Sequence, residues 1–265
     1  MTKIALIGCG KMGSALLQGW IRAGIADQID VIDPSATGHF KNVNFFKSAD
    51  DLPDQSSYDV LALAVKPQII NEVCPNLKKL TSPNTIILSI VSGKPLSFYE
   101  GIYGQTQPVV RTMPNTPASI GMGMIVGIAN KHVSNEQRDL ASALMQAGGR
   151  FEWIEDETLM DAVTALSGSG PAYIFYLIEA LSCAGTEIGL TPDLANILAR
   201  QTVIGSAMLA AHEKDSDPAT LRDNVTSPNG TTAAALSVLM DGRFDDLLVE
   251  TLLAASNRSK ELAKA

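Results

Sequence analysis

Lys3-Ile-Ala-Leu-Ile7 runs directly into Gly8-Cys-Gly-Lys-Met-Gly13 and then into the helical stretch Ser14 to Arg22. That succession of strand, glycine turn and helix leaves few folds open, because each glycine answers a separate steric demand. Gly8 permits the tight turn, Gly10 lets backbone N–H groups approach a pyrophosphate with no Cβ in the way, and Gly13 lets the helix pack closely on the strand. With Lys11 and Met12 completing the turn, the positive end of the helix faces the phosphates. The segment is a candidate dinucleotide cradle.

The rest of the first half has the alternation such a cradle belongs to. Short β-rich apolar runs recur at Ile4 to Ile7, Ile29 to Ile32, Tyr58 to Val65, Thr85 to Val91 and Val109 to Met113, separated by helical patterns and Gly, Pro or Asn punctuation. This predicts an α/β class with a Rossmann-like, doubly wound parallel sheet. After Met124 to Ala129, Ser134-Asn-Glu-Gln137 has the capping-box spacing and opens a helix, while Phe151, Trp153 and Ile154 supply a last short strand. From about Thr158 onward the pattern is helical, with starts at Thr191-Pro192 and Asp217-Pro218, where a capping side chain precedes a proline. We expect two domains: residues 1–157 for dinucleotide binding and an all-α domain over residues 158–265.

Composition narrows the partners. The net charge of −8 offers no electrostatic footprint for nucleic acid, so a small ligand is expected. Apolar residues make up 46% and charged residues only 18%, so the surface left to solvent should be unusually small, and burial between subunits is one explanation. The helices over Ala172 to Ile188 and Pro192 to Ala211 are apolar on nearly every side and must be covered, so a homodimer through the helical domain is expected. The last helix has a single stripe, Phe244, Leu247, Leu248, Leu252 and Ala255, and reads as ordinary amphipathic packing. The uncharged run Ala162 to Ile178 is too short for a membrane span. Cys9, Cys74 and Cys183 are scattered and odd in number, which implies reduced thiols, a cytoplasmic location and no metal site.

The cofactor is NADH or NADPH. Asp33, about 20 residues past the glycines, can accept the ribose 2′-hydroxyl of NADH and would repel a 2′-phosphate. Ser35, Thr37, His39 and Lys41 could instead rearrange around a phosphate, and Asp33 could simply start the turn with Pro34. Ala64, Val65, Lys66 and Pro67 stand at a strand's carboxyl end, where open α/β sheets hold ligands. Lys66 there either meets a ligand oxygen or is an exposed lysine beside a helix starting at Pro67. Arg111-Thr-Met-Pro-Asn115 also follows a strand end, and its prolines suit either a stiff cofactor-facing wall or a plain crossover.

A second anion site is indicated in the helical domain. Ser167-Gly-Ser-Gly-Pro-Ala172 and Thr226-Ser-Pro-Asn-Gly-Thr-Thr232 both precede helices. Around the latter, N–H donors of Gly230, Thr231 and Thr232 can turn towards a carboxylate with the hydroxyls of Ser227 and Thr232 pointing into the same space. Simple helix capping by Thr231 or Thr232 is the alternative. His39, His132 and His212 sit in no triad or metal pattern, so the chemistry must manage without imidazole.

Taken together, Gly8 to Gly13, Ala64-Val-Lys-Pro-Gln68, Arg111-Thr-Met-Pro-Asn-Thr-Pro117, Leu166-Ser-Gly-Ser-Gly-Pro-Ala-Tyr173 and Asp223-Asn-Val-Thr-Ser-Pro-Asn-Gly-Thr-Thr232 resemble the pyrroline-5-carboxylate reductase family over essentially the full chain. The resemblance implies hydride transfer from NAD(P)H to the cyclic imine 1-pyrroline-5-carboxylate, giving proline. It also implies an interlocked helical dimer, often within a ring of dimers. By the same resemblance the Ser227 to Thr232 loop holds the substrate carboxylate, Thr232 bonds the ring nitrogen, and Ser169 and Asn115 fall in matched motifs. One departure stands out: Asn229-Gly230 replaces the usual Gly-Gly, and Asn tolerates left-handed backbone. A β-hydroxyacid dehydrogenase and a non-catalytic nicotinamide-binding regulator are the alternatives. The first uses a lysine after a Gly-rich loop, and none lies between Lys131 and Lys214.

Overall fold

The computed structural model describes residues 1–53 and 57–264. Its strands are β1 (Lys3–Ile7), β2 (Gln28–Ile32), β3 (Val43–Phe46), β4 (Val60–Leu63), β5 (Ile86–Ser89), β6 (Val109–Met113), β7 (Gly123–Ala129) and β8 (Gly149–Trp153). They form one sheet in the order β3-β2-β1-β4-β5-β6-β7-β8. The order reverses at β1 and β4, so the crevice at their carboxyl ends is where such a sheet binds ligands. All neighbours are parallel except β6 and β7, which are antiparallel because only the short turn Thr116–Ile120 joins them.

Helices α1 (Lys11–Ala23), α2 (Ile70–Asn76), α3 (Leu96–Tyr103) and α4 (Asn135–Gln146) accompany the sheet. One core holds Ile4, Leu6, Leu16, Trp20, Val31 and Leu144; another holds Ala5, Ile7, Leu61, Leu63, Ile70 and Tyr99. Alternate residues of β1 thus face opposite cores, as a strand covered on both sides requires. The Trp20 indole N–H is satisfied by the Leu144 carbonyl at 2.8 Å. The capping box of α4 is present, with the Ser134 hydroxyl and the Gln137 side chain each accepting the other residue's backbone N–H.

Strand β3 was not anticipated. Asn44 interrupts its short apolar run, yet Asn44 is what anchors it, donating at 2.7 Å to the buried carboxylate of Asp30. The Tyr58 hydroxyl, at 2.8 Å, and the Gln28 amide also donate to Asp30, so β2, β3 and the entry to β4 share one buried anion.

A short helix α5 (Met160–Val163) passes into a π-helical turn, Thr164–Gly168. The helices that follow are α6 (Gly170–Glu187), α7 (Pro192–His212), α8 (Pro218–Asn224), α9 (Thr231–Leu239) and α10 (Arg243–Lys264). Packing divides the chain into one unit of Met1–Ser169 with Ala255–Ala265 and another of Gly170–Ala254. In the second unit α6 packs against α7, yet α6 buries no residue and α7 buries only Ala195 and Ala199. The Phe244, Leu247 and Leu248 stripe of α10 is likewise exposed, so it is not the ordinary internal packing its pattern suggests.

Two local expectations are corrected. Asp217 caps α8 by accepting from the Ala219 N–H, but Thr191 makes no side-chain cap for α7, where proline already removes one donor. Pro67 stands in a turn ahead of α2 rather than at its first position. By length and composition alone, α7 is apolar enough to cross a membrane despite Arg200, since a helix meant to be covered by protein resembles one covered by lipid.

Tyr58→Phe removes one donor from the buried Asp30 carboxylate. It should lower unfolding stability by about 1.5–3 kcal/mol in urea titrations, the range for hydrogen bonds to charged groups. An unchanged midpoint would show that the carboxylate does not depend on this donor.

Candidate functional site

The glycine turn behaves as its sterics require. Gly8 has φ +89°, and a Cβ there would lie 2.8 Å from the Ala64 carbonyl oxygen. A Cβ on Gly13 would come within 2.3 Å of the Gly8 oxygen. At Gly10, by contrast, a Cβ would meet nothing within 4 Å: the space beside it is open. Gly10 is the N-cap of α1 and brings no side chain to cap it. The first intrahelical bond is Ser14 N–H to the Gly10 carbonyl, leaving the Lys11, Met12 and Gly13 amides without acceptors among the described residues. An uncapped helix start beside open space fits a pyrophosphate.

A groove of about 780 Å³ extends from this turn, walled by Gly8, Gly10, Asp33, Ala64, Val65 and Lys66 among others. Pro67, Ser35 and Asn115 are not part of its wall. Lys47, Ser48, Asp50 and Lys79 are, and sequence reasoning missed them. They come from the loop after the unanticipated β3 and from the turn after α2, where no motif marks them. Lys79 pairs with Asp50.

Asp33 is held firmly. One carboxylate oxygen accepts the Cys9 N–H and the other the Ser35 N–H, each at 2.7 Å. The acid therefore ties the glycine turn to the β2 turn while facing the groove. Burial, and secondarily Asp33, push the Cys9 thiol above its usual pKa, so it stays neutral at pH 7.

Asn115 is occupied elsewhere. Its amide donates to the Ser167 carbonyl at 3.0 Å and its oxygen accepts the Met124 N–H at 2.9 Å. Ser169 closes the π-helical turn through its N–H to Thr164 O at 2.8 Å. The turn thus carries Ser169 at its end.

In the second unit, Gly230 N–H bonds the Ser227 carbonyl at 3.0 Å, closing a turn with Pro228 and Asn229 at its centre. Asn229 has φ +57°, the left-handed conformation a turn of this kind needs at its third residue, so the Asn-for-Gly replacement leaves the loop intact. A Cβ on Gly230 would lie 2.4 Å from the Ser227 hydroxyl oxygen and 3.1 Å from its carbonyl oxygen, so a side chain there would displace the Ser227 hydroxyl. Helix α9 then begins at Thr231 with Gly230 as N-cap and no side-chain cap. Capping by Thr231 or Thr232 is therefore excluded. The amides of Thr231, Thr232 and Ala233 have no acceptors among the described residues, Ala234 being the first to bond back to Gly230.

Residues 157–262 match the family model for pyrroline-5-carboxylate reductase dimerisation, and residues 3–93 match that for NADP oxidoreductase, coenzyme F420-dependent. The chain is 42% identical to the pyrroline-5-carboxylate reductase of Pseudomonas aeruginosa, covering 99% of this chain and 97% of that protein. The chain belongs to the pyrroline-5-carboxylate reductase family. Among solved structures, the enzyme of Coxiella burnetii superposes with a TM-score of 0.89 at 36% identity, covering 100% and 99% of the two chains. That of Plasmodium falciparum, solved with NADP bound, gives 0.83 at 32% over 99% and 98%. A Rossmann-like unit followed by a dimerisation unit is thus the family's architecture, and the exposed apolar faces of α6 and α7 belong to a homo-oligomer that binds a nicotinamide dinucleotide.

Gly10→Ala should leave stability within about 1 kcal/mol while weakening dinucleotide binding by about tenfold or more, because the new methyl enters only the open space. Gly13→Ala should instead lower the melting temperature. Calorimetric melting beside fluorescence titration with NADH separates the two; equal destabilisation would contradict the assignment of Gly10 to the ligand.

Proposed function

We propose that this protein reduces 1-pyrroline-5-carboxylate to proline, with residues 1–157 holding the dinucleotide and residues 158–265 supplying the dimer and the substrate site. The observation that carries the substrate side is the α9 start: unacceptored amides behind a glycine cap, with the Ser227 hydroxyl close beside Gly230. The amides of Thr231 and Thr232, with the Ser227 hydroxyl and Gly230, receive the carboxylate. Ser169 contributes from the end of the π-helical turn.

A bound reduced nicotinamide supplies the hydride. The dinucleotide would be held by the amides around Gly8, Gly10, Lys11, Met12 and Gly13, by the Ala64 to Pro67 strand end, and by Asp33 and Ser35, while Asn115 would act from outside the groove wall through its bonds to Ser167 and Met124. A cyclic imine can arrive already protonated near neutral pH, so the chain needs no strong acid. The Thr232 hydroxyl is too weak to protonate the ring nitrogen and instead orients it. Positioning then carries most of the rate.

Neither alternative accounts for the site. A β-hydroxyacid dehydrogenase lacks its lysine here, and a non-catalytic regulator needs no second anion pocket. The three free cysteines suit the reducing cytoplasm. The proposed assembly is a homodimer, with dimers closing into a ring; a particle no larger than a dimer by light scattering would remove the ring.

Purified protein mixed with 1-pyrroline-5-carboxylate and NADH or NADPH should consume the nucleotide absorbance, and no turnover with either would overturn the function. Thr232→Ala should lower kcat by roughly ten- to a hundredfold, about 1.4 to 2.7 kcal/mol. An unchanged rate would remove Thr232 from the mechanism. Asp33 favours NADH, so Asp33→Ser should shift the NADPH to NADH ratio of kcat/KM upward by about tenfold. A ratio that stays put would leave Asp33 only its bonds to Cys9 and Ser35.

A further inference from the structure

The stretch from Glu157 to Ser169 closes the first unit, and hydrogen bonds pin it at three places. Near its start, the Glu157 carboxylate accepts the Arg111 guanidinium of β6 at 2.7 Å and the Leu96 N–H of α3 at 2.9 Å. Arg111 is buried, and its Nε has no partner among the described residues, so this pair is what fixes its charge. In its middle, Asp161 accepts the hydroxyl of Ser259 at 2.6 Å, and Ser259 is only 4% exposed. At its end, Asn115 grips the Ser167 carbonyl.

The Ser259 contact comes from the last turns of α10, which dock rather than fray. Leu262 borders a cavity of about 330 Å³ together with Pro67, Ser92 and Lys94. The Ser92–Lys94 loop also contains Gly93, whose φ is +80° and whose Cβ, if present, would touch the Leu262 backbone at 3.4 Å. A segment that merely linked two units would need none of these attachments. Four partners far away in sequence converge instead at three anchors on thirteen residues whose final member is Ser169, and the third anchor, Ser167, lies within the π-helical turn. Such turns persist only where surrounding bonds hold them, and they often mark functional sites.

We infer that Glu157 and Asp161 are positioning residues for the reaction, acting through the clamped segment to set Ser169 against the substrate. The inference rests on the reading of Ser169 as a substrate contact. Through Asp161, the α10 turn that carries Ser259 becomes a support for the active site.

Four variants of the full-length enzyme test it: Glu157→Ala, Glu157→Gln, Asp161→Ala and Asp161→Asn. The amide variants keep an acceptor for the same donors. Both alanine variants should raise KM for 1-pyrroline-5-carboxylate by about three- to tenfold. NADH affinity, read by fluorescence titration, should stay within about twofold, and the amide variants should recover most of the KM. Mere loss of folded enzyme would scale the rate at every substrate concentration and leave KM alone. Should Glu157→Ala fail to fold, the Asp161 pair decides. An unchanged KM in Asp161→Ala, or an Asp161→Asn variant as impaired as the alanine one, would overturn the proposal. Ser169→Ala separates the two layers: if it leaves KM unchanged, the substrate contact itself is wrong, whereas a raised KM there beside a normal Asp161→Ala sinks only the clamp.

Discussion

Helices α1 and α9 begin on glycine without a side-chain cap, and the proposed chemistry depends on that omission. A helix start leaves amide donors unsatisfied, and most chains supply a Ser, Thr, Asp or Asn to absorb one of them. This chain does so at α4 with Ser134 and at α8 with Asp217. At α1 and α9 it places Gly10 and Gly230 instead, and the donors remain available to an anion. The first set suits a pyrophosphate and the second a carboxylate. Gly10 has open space beside it, whereas the Ser227 hydroxyl is pressed against Gly230.

The second constraint is the unburied apolar surface of the helical unit. Phe175 and Tyr176 of α6 are 64% and 69% exposed, and Ile197 and Met208 of α7 are comparably open. Side chains of this size seldom stand in water as a contiguous face unless a partner covers them. The dimerisation family match over residues 157–262 supplies the partner's identity: another copy of this chain. The same surface lets α7 pass for a membrane helix on composition alone, which shows how little composition says about what covers an apolar face.

Much of this was legible in the residues, and the gaps have physical causes. The strand, glycine turn and helix at Lys3 to Arg22, the capping box at Ser134 and the helical second half all follow from local rules that tertiary contacts do not override. Strand β3 escaped because its stability comes from Asn44 donating to a buried Asp30, a contact made across the sheet rather than along the chain. The groove residues Lys47, Ser48 and Lys79 escaped with it, since only the folded sheet brings those loops to the glycine turn. Asn115 read as a wall residue, yet both ends of its amide are engaged by backbone, a use that motif spacing does not reveal. The Phe244 stripe looked internal because amphipathicity marks a face to be covered without saying by which molecule. Asn229 went the other way: its replacement of glycine departs from the family pattern, and its φ of +57° accommodates it.

A crystal structure of the assembled enzyme with proline and the oxidised dinucleotide bears most directly on these open helix starts. The proline carboxylate should lie about 2.7–3.2 Å from the amide nitrogens of Thr231 and Thr232. A carboxylate held by a lysine or arginine side chain, with the start of α9 bonded only to water, would contradict the account.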